Sequence, residues 1–378
     1  MAVVKADAYG HGAAEVSKAA LEAGAAALGV AWVAEGVELR QAGIHAPILV
    51  LSEPVTDLAL QYMVDLGLEA TVYSLEFAQQ LNQVAQRSGK TIDVHVKVDT
   101  GMGRVGATPD EALALIQWLT SESSLCWKGL YTHFACADDL ENEATIGQIE
   151  RFRGFIDLLV ENSLVEMPIA KCEMRNAKCG VAEATILFES SRQRRDTINS
   201  QFAIRISQLL DPQTGRPIIL HAANSAGTKY FPQSHFDMVR VGLDMYQDVL
   251  SFKTRVAMVK KVPAGQALSY GGTFVTRHET TIATLSAGYA DGVNRLLSNR
   301  GRVLIKGQSF PIVGRVTMDM ILVDLGANAE NIKRGDEVVL IGNSGDQKIT
   351  MDEVAEACGT ISYEIMCGIG KRVPRIYA

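Results

Sequence analysis

Short apolar runs alternate with longer amphipathic segments over roughly the first 243 residues of the chain. The apolar runs are rich in Val, Ile and Leu, as in strands that are buried on both faces of a parallel sheet. The intervening segments are rich in Ala, Leu and Glu and show helical spacing. Three strand and helix pairs are residues 2–4 and 13–23, 47–51 and 56–66, and 93–98 and 109–119. This rhythm predicts repeated βα units, as in a barrel or a doubly wound sheet.

The pattern changes near residue 245, where short strands begin to alternate with Pro, Gly and Asn turns. The predicted strands are residues 254–260, 280–284, 301–305, 320–323 and 337–341, and helical spacing returns around 350–357. Such a succession is typical of an antiparallel β domain. We therefore expect two domains, residues 1–245 and 246–378, and an irregular insertion in the first at about 165–215.

The residues that follow the first predicted strand distinguish a barrel from a doubly wound sheet. A dinucleotide-binding sheet carries a G-x-G-x-x-G turn after this strand, whereas residues 5–9 read Lys-Ala-Asp-Ala-Tyr. The length of 378 residues also suits a barrel of about 250 residues with a smaller second domain. The prediction is a TIM-type (β/α)8 barrel followed by a mainly antiparallel β domain.

Charge and composition narrow the class of ligand. The formal net charge is −7, and the chain has no long basic run, which argues against a nucleic-acid partner. No apolar stretch is long enough to span a bilayer, and the first ten residues lack the features of a signal peptide. The six cysteines are scattered without C-x-x-C spacing, as in a reduced cytoplasmic protein without a metal site. We expect a cytoplasmic protein with a small-molecule ligand and no membrane partner.

Lys5 is the first candidate for chemistry. It lies in an apolar run, where an unpaired ammonium group would be costly to bury. A Schiff base with an aldehyde cofactor would remove that charge, and barrel enzymes carry reactive groups at the C-terminal ends of their strands. A lysine that merely reaches solvent at the barrel rim explains the same spacing, so the pattern alone leaves both interpretations open.

Residues 3–12, Val-Val-Lys-Ala-Asp-Ala-Tyr-Gly-His-Gly, are similar to the lysine signature of the alanine racemase family, which uses pyridoxal 5′-phosphate (PLP). Seven further segments resemble motifs of that family and occur in its order. They are residues 97–104 (Lys-Val-Asp-Thr-Gly-Met-Gly-Arg), 132–135 (Thr-His-Phe-Ala), 224–227 (Asn-Ser-Ala-Gly), 269–271 (Ser-Tyr-Gly), 288–292 (Gly-Tyr-Ala-Asp-Gly), 315–319 (Arg-Val-Thr-Met-Asp) and 372–375 (Arg-Val-Pro-Arg). The resemblance implies PLP-dependent interconversion of L-alanine and D-alanine, which supplies D-alanine for cell-wall peptidoglycan.

The resemblance also implies two catalytic bases. Lys5 would hold PLP and act as one base, and Tyr270 would act as the other from the partner subunit of a homodimer. Racemisation needs proton acceptors on opposite faces of a planar carbanion, which explains the pair. A tyrosine is a poor base at neutral pH unless neighbouring groups stabilise its phenolate, and His133 and Arg295 resemble family residues that contribute to this.

Arg240 resembles the family arginine that faces the pyridine nitrogen of PLP. A guanidinium group keeps its protons, so the ring nitrogen would remain an unprotonated acceptor. An acidic residue in this place would protonate the nitrogen and make the cofactor a stronger electron sink. The arginine is therefore expected to discourage transamination.

The family assigns the remaining cofactor and substrate contacts by resemblance. The phosphate contacts would be the Ser225 hydroxyl, the backbone N–H groups of Gly242 and Leu243, and the hydroxyls of Tyr9 and Tyr363. The substrate carboxylate would meet Arg104, which also contacts the PLP phenolic oxygen, and the backbone N–H of Met318 from the partner chain. Asp319 would be a supporting residue of the site. Lys97 corresponds to a lysine that is carbamylated in many family members and can then position Arg104.

Three departures from the family pattern and several alternatives accompany this interpretation. The irregular insertion at about 165–215 is one of the departures. Family members ordinarily carry a strand and a helix before the PLP lysine, and Lys5 stands almost at the start, so we expect weaker dimerisation. Gln247 follows Tyr246 where the family has glycine. A PLP-binding regulator would lack the β domain that contains Tyr270, and a barrel-type decarboxylase would carry an acidic residue in place of Arg240. A racemase of broader specificity, a truncated PLP-binding protein with little activity and a non-catalytic scaffold remain open.

Overall fold

The computed structural model describes residues 1–121, 124–166, 209–326 and 331–377. These residues form two compact units. One comprises Met1–Val3 and Leu21–Val241, and the other comprises Val4–Ala20 and Gly242–Ala378. The insertion predicted at about 165–215 lies mostly outside the described residues.

The first unit contains a parallel sheet that curls into a closed ring. Its strands, each paired with the next, are β1 (Ala2–Val3), β2 (Leu28–Val30), β3 (Ile48–Val50), β4 (Glu69–Val72), β5 (Ile92–Lys97), β6 (Leu125–Tyr131) and β8 (Pro217–His221), with β7 (Leu209–Leu210) antiparallel to β8. Residues 239–241 close the ring. The Val3 N–H donates to the Val241 carbonyl at 2.8 Å, and the Arg240 N–H donates to the Ala223 carbonyl at 2.9 Å. The predicted TIM-type barrel is confirmed.

Helices alternate with these strands, as the amphipathic segments predicted. They are α1 (Ala13–Glu22), α2 (Val33–Gln41), α3 (Asp57–Asp65), α4 (Leu75–Arg87), α5 (Pro109–Leu119), α6 (Ala144–Glu161) and α7 (Ser225–Tyr230). Helix α5 shows the local reasons for its bounds. Thr108 and Glu111 form a capping box, and Pro109 occupies the first helical position, where no amide hydrogen is needed. Leu115, Ile116 and Leu119 then share one buried face.

Residues Lys5–Tyr9 form a left-handed helical turn, which we call the lysine turn. The φ angles of Ala6, Asp7, Ala8 and Tyr9 are 53°, 54°, 52° and 51°. This conformation costs roughly 1–2 kcal/mol for each residue other than glycine, so consecutive examples need support from their surroundings. Asp7 Oδ1 accepts the Ala13 N–H at 2.8 Å, and the Gly10 N–H donates to the Ala6 carbonyl at 3.0 Å. The surrounding contacts therefore stabilise the turn, and no periodicity in the sequence predicts it.

The second unit contains an antiparallel sheet, which confirms the predicted β domain. Its strands are β9 (Phe252–Val262), β12 (Thr280–Leu285), β13 (Arg302–Ile305), β14 (Gln308–Val313), β15 (Ile321–Gly326), β16 (Glu337–Ser344) and β17 (Gln347–Ile349), in the order β13-β14-β15-β12-β9-β16-β17. An additional pairing of β13 with β16 curls this sheet into a barrel. Strands β10 (Ala267–Leu268) and β11 (Phe274–Val275) form a separate hairpin, and helices α8 (Met351–Cys358) and α9 (Ser362–Cys367) follow the sheet.

Alternating side chains of this sheet build the core of the second unit. Ile321, Val323 and Leu325 of β15 are buried, while the residues between them are partly exposed. That alternation is expected where one face of a sheet packs inward and the other meets solvent. None of the described helices is both long and apolar enough to cross a membrane.

Candidate active site

The lysine turn presents Lys5 two residues after strand β1. Lys5 is half-buried, and the preceding Val4 is fully buried. Gly10 ends the turn with φ +81°, and a Cβ atom there would lie only 2.3 Å from the Met366 carbonyl oxygen. The turn thus lies against helix α9, and glycine is required at its end because both the conformation and the space exclude a side chain.

Three tyrosines form an aromatic cluster beside this turn in the second unit. The ring of Tyr9 lies 4.9 Å from that of Tyr246 and 6.1 Å from that of Tyr363, centroid to centroid. Burial raises the pKa of Tyr9 to about 12, with a further contribution from Tyr363. Tyr9 therefore remains a neutral phenol at physiological pH and can donate its hydroxyl hydrogen to an anion. The structure brings the predicted Tyr9 and Tyr363 together, and the sequence did not single out Tyr246 as their neighbour.

Arg240 is the centre of a buried polar network in the first unit, where it is 4% exposed. Its Nη1 donates to His221 Nδ1 at 3.0 Å. Its Nη2 group has three acceptors: the Thr132 carbonyl at 2.8 Å, the Ala222 carbonyl at 3.0 Å and His133 Nδ1 at 3.2 Å. Burial lowers the pKa of Arg240 to about 10, so the guanidinium still carries its charge at neutral pH.

The network continues through two histidines to a carboxylate. His221 Nε2 lies 2.9 Å from His95 Nδ1, and His95 Nε2 lies 3.2 Å from Glu69 Oε2. A guanidinium can only donate, so His221 accepts at Nδ1 and donates from Nε2, and His95 then donates from Nε2 to Glu69. Lys128 also donates to Glu69, and burial of that carboxylate is outweighed by its hydrogen bonds from His95 and Lys128, which lower its pKa.

Burial and the charge of Arg240 lower the pKa of His221 well below its ordinary value. His221 is therefore neutral, which the direction of the hydrogen bonds requires. Sequence reasoning missed His221, Glu69 and Lys128 as parts of the site. The one feature of the sequence that pointed to this network is that His95 shares a strand face with Lys97.

Lys97 and Arg104 lie on and after strand β5. Lys97 is 5% exposed, and its Nζ lies 5.8 Å from the centroid of the Tyr131 ring. The Arg240 guanidinium carbon lies 4.9 Å from the same ring. Arg104 is exposed at the end of a loop in which Asp99 accepts the N–H groups of Gly101, Met102 and Gly103, each at 2.8 Å.

Ser225 is the first residue of helix α7. The cap of this helix is Asn224, whose side-chain oxygen accepts the Gly227 N–H at 2.8 Å. Asn224, and not the Ser225 hydroxyl, therefore caps this helix. In the second unit, Gly242 precedes a 3-10 turn over Leu243–Met245.

A cavity of about 430 Å³ in the second unit gathers most of the predicted residues of the β domain. Its lining consists of Tyr270, Tyr289, Arg295, Arg315, Val316, Thr317, Met318 and Asp319. Tyr270 is 74% exposed at its edge. Tyr289 and Arg315 were not assigned from the sequence, although both lie within the motifs that carry the resemblance. Lys5 is not among these described lining residues.

Each unit by itself carries donors that suit one part of PLP. Arg240 uses Nη1 and Nη2 for the contacts above, and its Nε–H has no acceptor among the described residues, so a donor remains for a pyridine nitrogen. In the second unit the neutral Tyr9 hydroxyl suits an anionic group such as a phosphate. In the first unit the N-terminus of α7 does so as well. Within the described part of the chain, no cluster of side chains suits a metal ion.

Comparisons with known protein families cover nearly the whole chain. The profile of the family described as "Alanine racemase, N-terminal domain" matches residues 1–177 and 181–249. The profile described as "Alanine racemase, C-terminal domain" matches residues 249–377.

Relatives and solved structures give the same result. The chain is 41% identical over 391 residues to the alanine racemase of Symbiobacterium thermophilum, covering 100% of this chain and 90% of the relative. It is 39% identical over 406 residues to that of Desulfosudis oleivorans, covering 100% and 89%. The alanine racemase of Bacillus anthracis with bound L-Ala-P superposes with a TM-score of 0.80 at 34% identity, covering 100% of this chain and 87% of that one. That of Bartonella henselae with covalently bound pyridoxal phosphate gives 0.76 at 26% identity, covering 100% and 92%.

Proposed function

The chain belongs to the alanine racemase family of PLP-dependent isomerases, and from this premise we propose that it interconverts L-alanine and D-alanine with two bases, Lys5 and Tyr270. The observation that carries the proposal is the fixation of Arg240 by neutral and carbonyl acceptors. A decarboxylase or transaminase would be expected to present a carboxylate there. The D-alanine formed would serve cell-wall peptidoglycan.

Lys5 and Tyr270 each hold and move one proton in this proposal. PLP, when bound, supplies the electron sink that makes the Cα hydrogen of alanine acidic. Lys5 would hold the cofactor, and its Nζ would exchange a proton with one face of Cα. The Tyr270 Oη would exchange a proton with the opposite face, and Arg295 shares its cavity and would stabilise the phenolate. His133, which accepts from Arg240, would contribute to the same task.

Arg240 would orient the pyridine ring and leave its nitrogen unprotonated. The guanidinium is held on one side by His221, and the histidines and Glu69 behind it fix its direction. Its Nε–H would donate to the nitrogen. A donor with a pKa of about 10 keeps its proton when the acceptor is a pyridine, so no full proton transfer follows.

The phosphate group would be bound by Ser225, by the N–H groups of Gly242 and Leu243, and by the hydroxyls of Tyr9 and Tyr363. Helix α7 supports this because the N–H groups of its first turn have no acceptors within the helix and would suit an anion at its N-terminus. Neutral tyrosine hydroxyls add donors without adding charge.

The substrate carboxylate would meet Arg104 and the Met318 N–H. Among the described residues, the Met318 N–H donates no backbone hydrogen bond, so it can donate one to a carboxylate oxygen. Asp319 follows directly and shares the cavity lining with Met318. Lys97, buried beside Tyr131, would position Arg104 if carbamylated, because the modified side chain is an anion.

We further propose a homodimer in which Tyr270 and Met318 complete the active site of the partner subunit. Both residues are more than half exposed, as groups that serve another chain must be before assembly. We also place the domain boundary near residue 245. The two family matches, which meet at residue 249, and the two compact units, which change at Gly242, support that position.

The first experiment is to purify the protein with PLP, trap the bound cofactor with borohydride, and measure D-alanine formed from L-alanine. Lys5→Ala should lose the trapped adduct and at least about a thousandfold of the racemisation rate, because the covalent attachment and one base disappear together. Lys18→Ala, an exposed lysine in α1, is the matched control and should retain both. A borohydride-stable PLP adduct in Lys5→Ala would refute the assignment.

A further inference from the structure

Arg375 ties the lysine turn to the C-terminal segment of the second unit. Among the described residues, its guanidinium donates hydrogen bonds only to backbone carbonyl oxygens. These acceptors are Gly10 at 3.0 Å, Ile369 at 2.9 Å, Gly370 at 2.6 Å and Val373 at 2.7 Å. The Tyr377 hydroxyl adds a parallel bond to the His11 carbonyl at 3.0 Å. The end of the lysine turn is thus fastened to residues 369–377.

Arg372, three residues before Arg375, binds two other loops, which contain Asp291 and Asp319. It forms a bidentate ion pair with Asp291, with distances of 2.7 and 3.0 Å, and its Nη2 also donates to Asp319 at 2.8 Å. Although burial of the Asp291 carboxyl acts in the opposite direction, the hydrogen bonds from Arg372 lower its pKa. The Gly370 N–H donates to the Asp291 carbonyl at 3.2 Å, so the backbone joins the same contact.

Asp291 belongs to residues 288–292, which hold the loop of residues 317–319; we call the latter the carboxylate loop. The Tyr289 N–H donates to the Thr317 carbonyl at 2.9 Å, and the Ala290 N–H donates to the Met318 carbonyl at 3.0 Å. At Gly288 a Cβ atom would lie 2.3 Å from the same two carbonyl oxygens. The loops therefore touch backbone to backbone, and neither can shift alone without breaking these hydrogen bonds.

The same close approach joins these loops to the C-terminal segment. A Cβ atom at Gly292, which has φ +107°, would lie 2.7 Å from Ile369 Cα, and one at Gly370 would lie 2.6 Å from the Ala290 carbonyl oxygen. A continuous set of contacts thus runs from Gly10 to the carboxylate loop, entirely within the second unit. The Arg375 side chain makes the link from Gly10 to residues 369–373, and backbone contacts make the links from there to the carboxylate loop. Packed contacts of this density transmit small displacements rather than absorb them.

We propose that Arg372 and Arg375 are positioning residues that hold the lysine turn and the carboxylate loop in one register. This inference rests on the proposed function, in which Lys5 serves the active site of its own chain and Met318 serves that of the partner. The segment between the two arginines then couples the two active sites of the dimer. Neither arginine touches the reacting atoms in this scheme.

Hydrogen–deuterium exchange of the full-length holoenzyme tests the coupling. Arg372→Gln removes the ion pairs, and Arg375→Gln removes the carbonyl contacts. We expect each variant to raise exchange in both peptides, residues 5–12 and residues 315–320. Arg302→Gln is the matched control because Arg302 holds Glu353 in a comparable bidentate pair elsewhere in this unit, and it should change neither peptide. If each variant affects only the loop it directly contacts, the coupling is absent. Should Arg375→Gln fail to fold, the response of residues 5–12 in Arg372→Gln decides alone.

Steady-state kinetics supply the second measurement. Arg372→Gln should raise the KM for alanine about tenfold, the effect of losing about one charge-assisted hydrogen bond, while kcat falls less than about threefold. Arg372→Lys should recover part of the KM, because an ammonium can bridge the two carboxylates without the bidentate geometry. If hydrogen–deuterium exchange rises in both peptides while the KM stays unchanged, the coupling is supported. The proposed contact of Met318 with the substrate carboxylate is then wrong. A fall in kcat alone, with uncoupled exchange, would overturn the inference.

Discussion

His221 accepts a hydrogen bond from Arg240 through Nδ1 at 3.0 Å, and both side chains are buried. The pair fixes the tautomer of His221, because a neutral His221 that accepts at Nδ1 must donate at Nε2. His95 and Glu69 follow from that choice. Arg240 is thus connected through the two histidines to the carboxylate of Glu69, and several expectations depend on this network.

The low pKa of His221 makes stability depend on pH. Below pH 6.5 the unfolded chain binds a proton at this residue and the native state does not, so the free energy of unfolding falls as the pH is lowered. The loss approaches about 1.4 kcal/mol per pH unit for one such group. His221→Asn does not titrate, and the thermal midpoint should drop less between pH 6.5 and 5.5 than in the wild type. His11, whose pKa burial also lowers, leaves a residual slope. Equal drops in both proteins would contradict the prediction.

Glu69 should act as the anchor of the network. Glu69→Gln keeps an acceptor for His95, whereas Glu69→Leu leaves the buried His95 N–H without one, at a cost of about 1–3 kcal/mol. We therefore expect the thermal midpoint and kcat to fall in the order wild type, Gln, Leu, with Leu about tenfold slower than Gln. Thermal melts and initial rates at saturating alanine provide the comparison. Equal behaviour of the two variants would mean that the acceptor is unimportant.

Arg240→Glu should change the reaction rather than only slow it. A carboxylate facing the pyridine nitrogen favours its protonated form and strengthens the cofactor as an electron sink. The ratio of pyruvate formation to racemisation should rise at least about tenfold, as measured by following both products from alanine. Arg240→Gln removes the guanidinium without adding an acid and is the control. A similar ratio in both variants would count against a role of Arg240 in suppressing transamination.

Substitutions of Asn224 can distinguish the effect of helix capping on stability from the effect of phosphate binding on PLP affinity. Asn224→Ala should lower the stability of the protein without PLP by about 1 kcal/mol, because the Gly227 N–H loses its acceptor. Asn224→Ser and Asn224→Asp both preserve a cap, but only aspartate adds a negative charge beside Ser225. Titration with PLP should show weaker binding to Asn224→Asp than to Asn224→Ser. If the two bind PLP equally, the phosphate does not lie at this helix N-terminus.

Tyr270 should work in trans. Mixing inactive Lys5→Ala with inactive Tyr270→Phe under conditions of subunit exchange should restore activity, because a heterodimer carries one site with both wild-type bases. Random exchange makes half of the dimers hybrid, each with one intact site of two, so roughly a quarter of wild-type activity is the ceiling. Exchange is verified independently by native mass spectrometry of differently labelled chains. No recovery despite exchange would place both bases on one chain.

The pattern of apolar and polar residues was sufficient to predict the βα repeat and the later β domain, because burial periodicity is a local property. Helix α5 begins and ends at the predicted residues. Its start is set locally, because Thr108, Pro109 and Glu111 act within one turn of each other. The identity of Lys5 and Tyr270 as candidates also came from the sequence, through resemblance of short motifs. Their roles remain predictions.

Only the tertiary structure revealed the features that depend on contacts between residues far apart in the sequence. The chain from Arg240 through His221 and His95 to Glu69 joins four strands or loops, and no spacing along the sequence encodes it. The left-handed lysine turn is likewise invisible in a sequence of ordinary residues, because local propensity opposes it and only surrounding contacts make it stable. Periodicity reports which side of an element is buried; which polar atoms face one another inside is set by how the elements close on themselves.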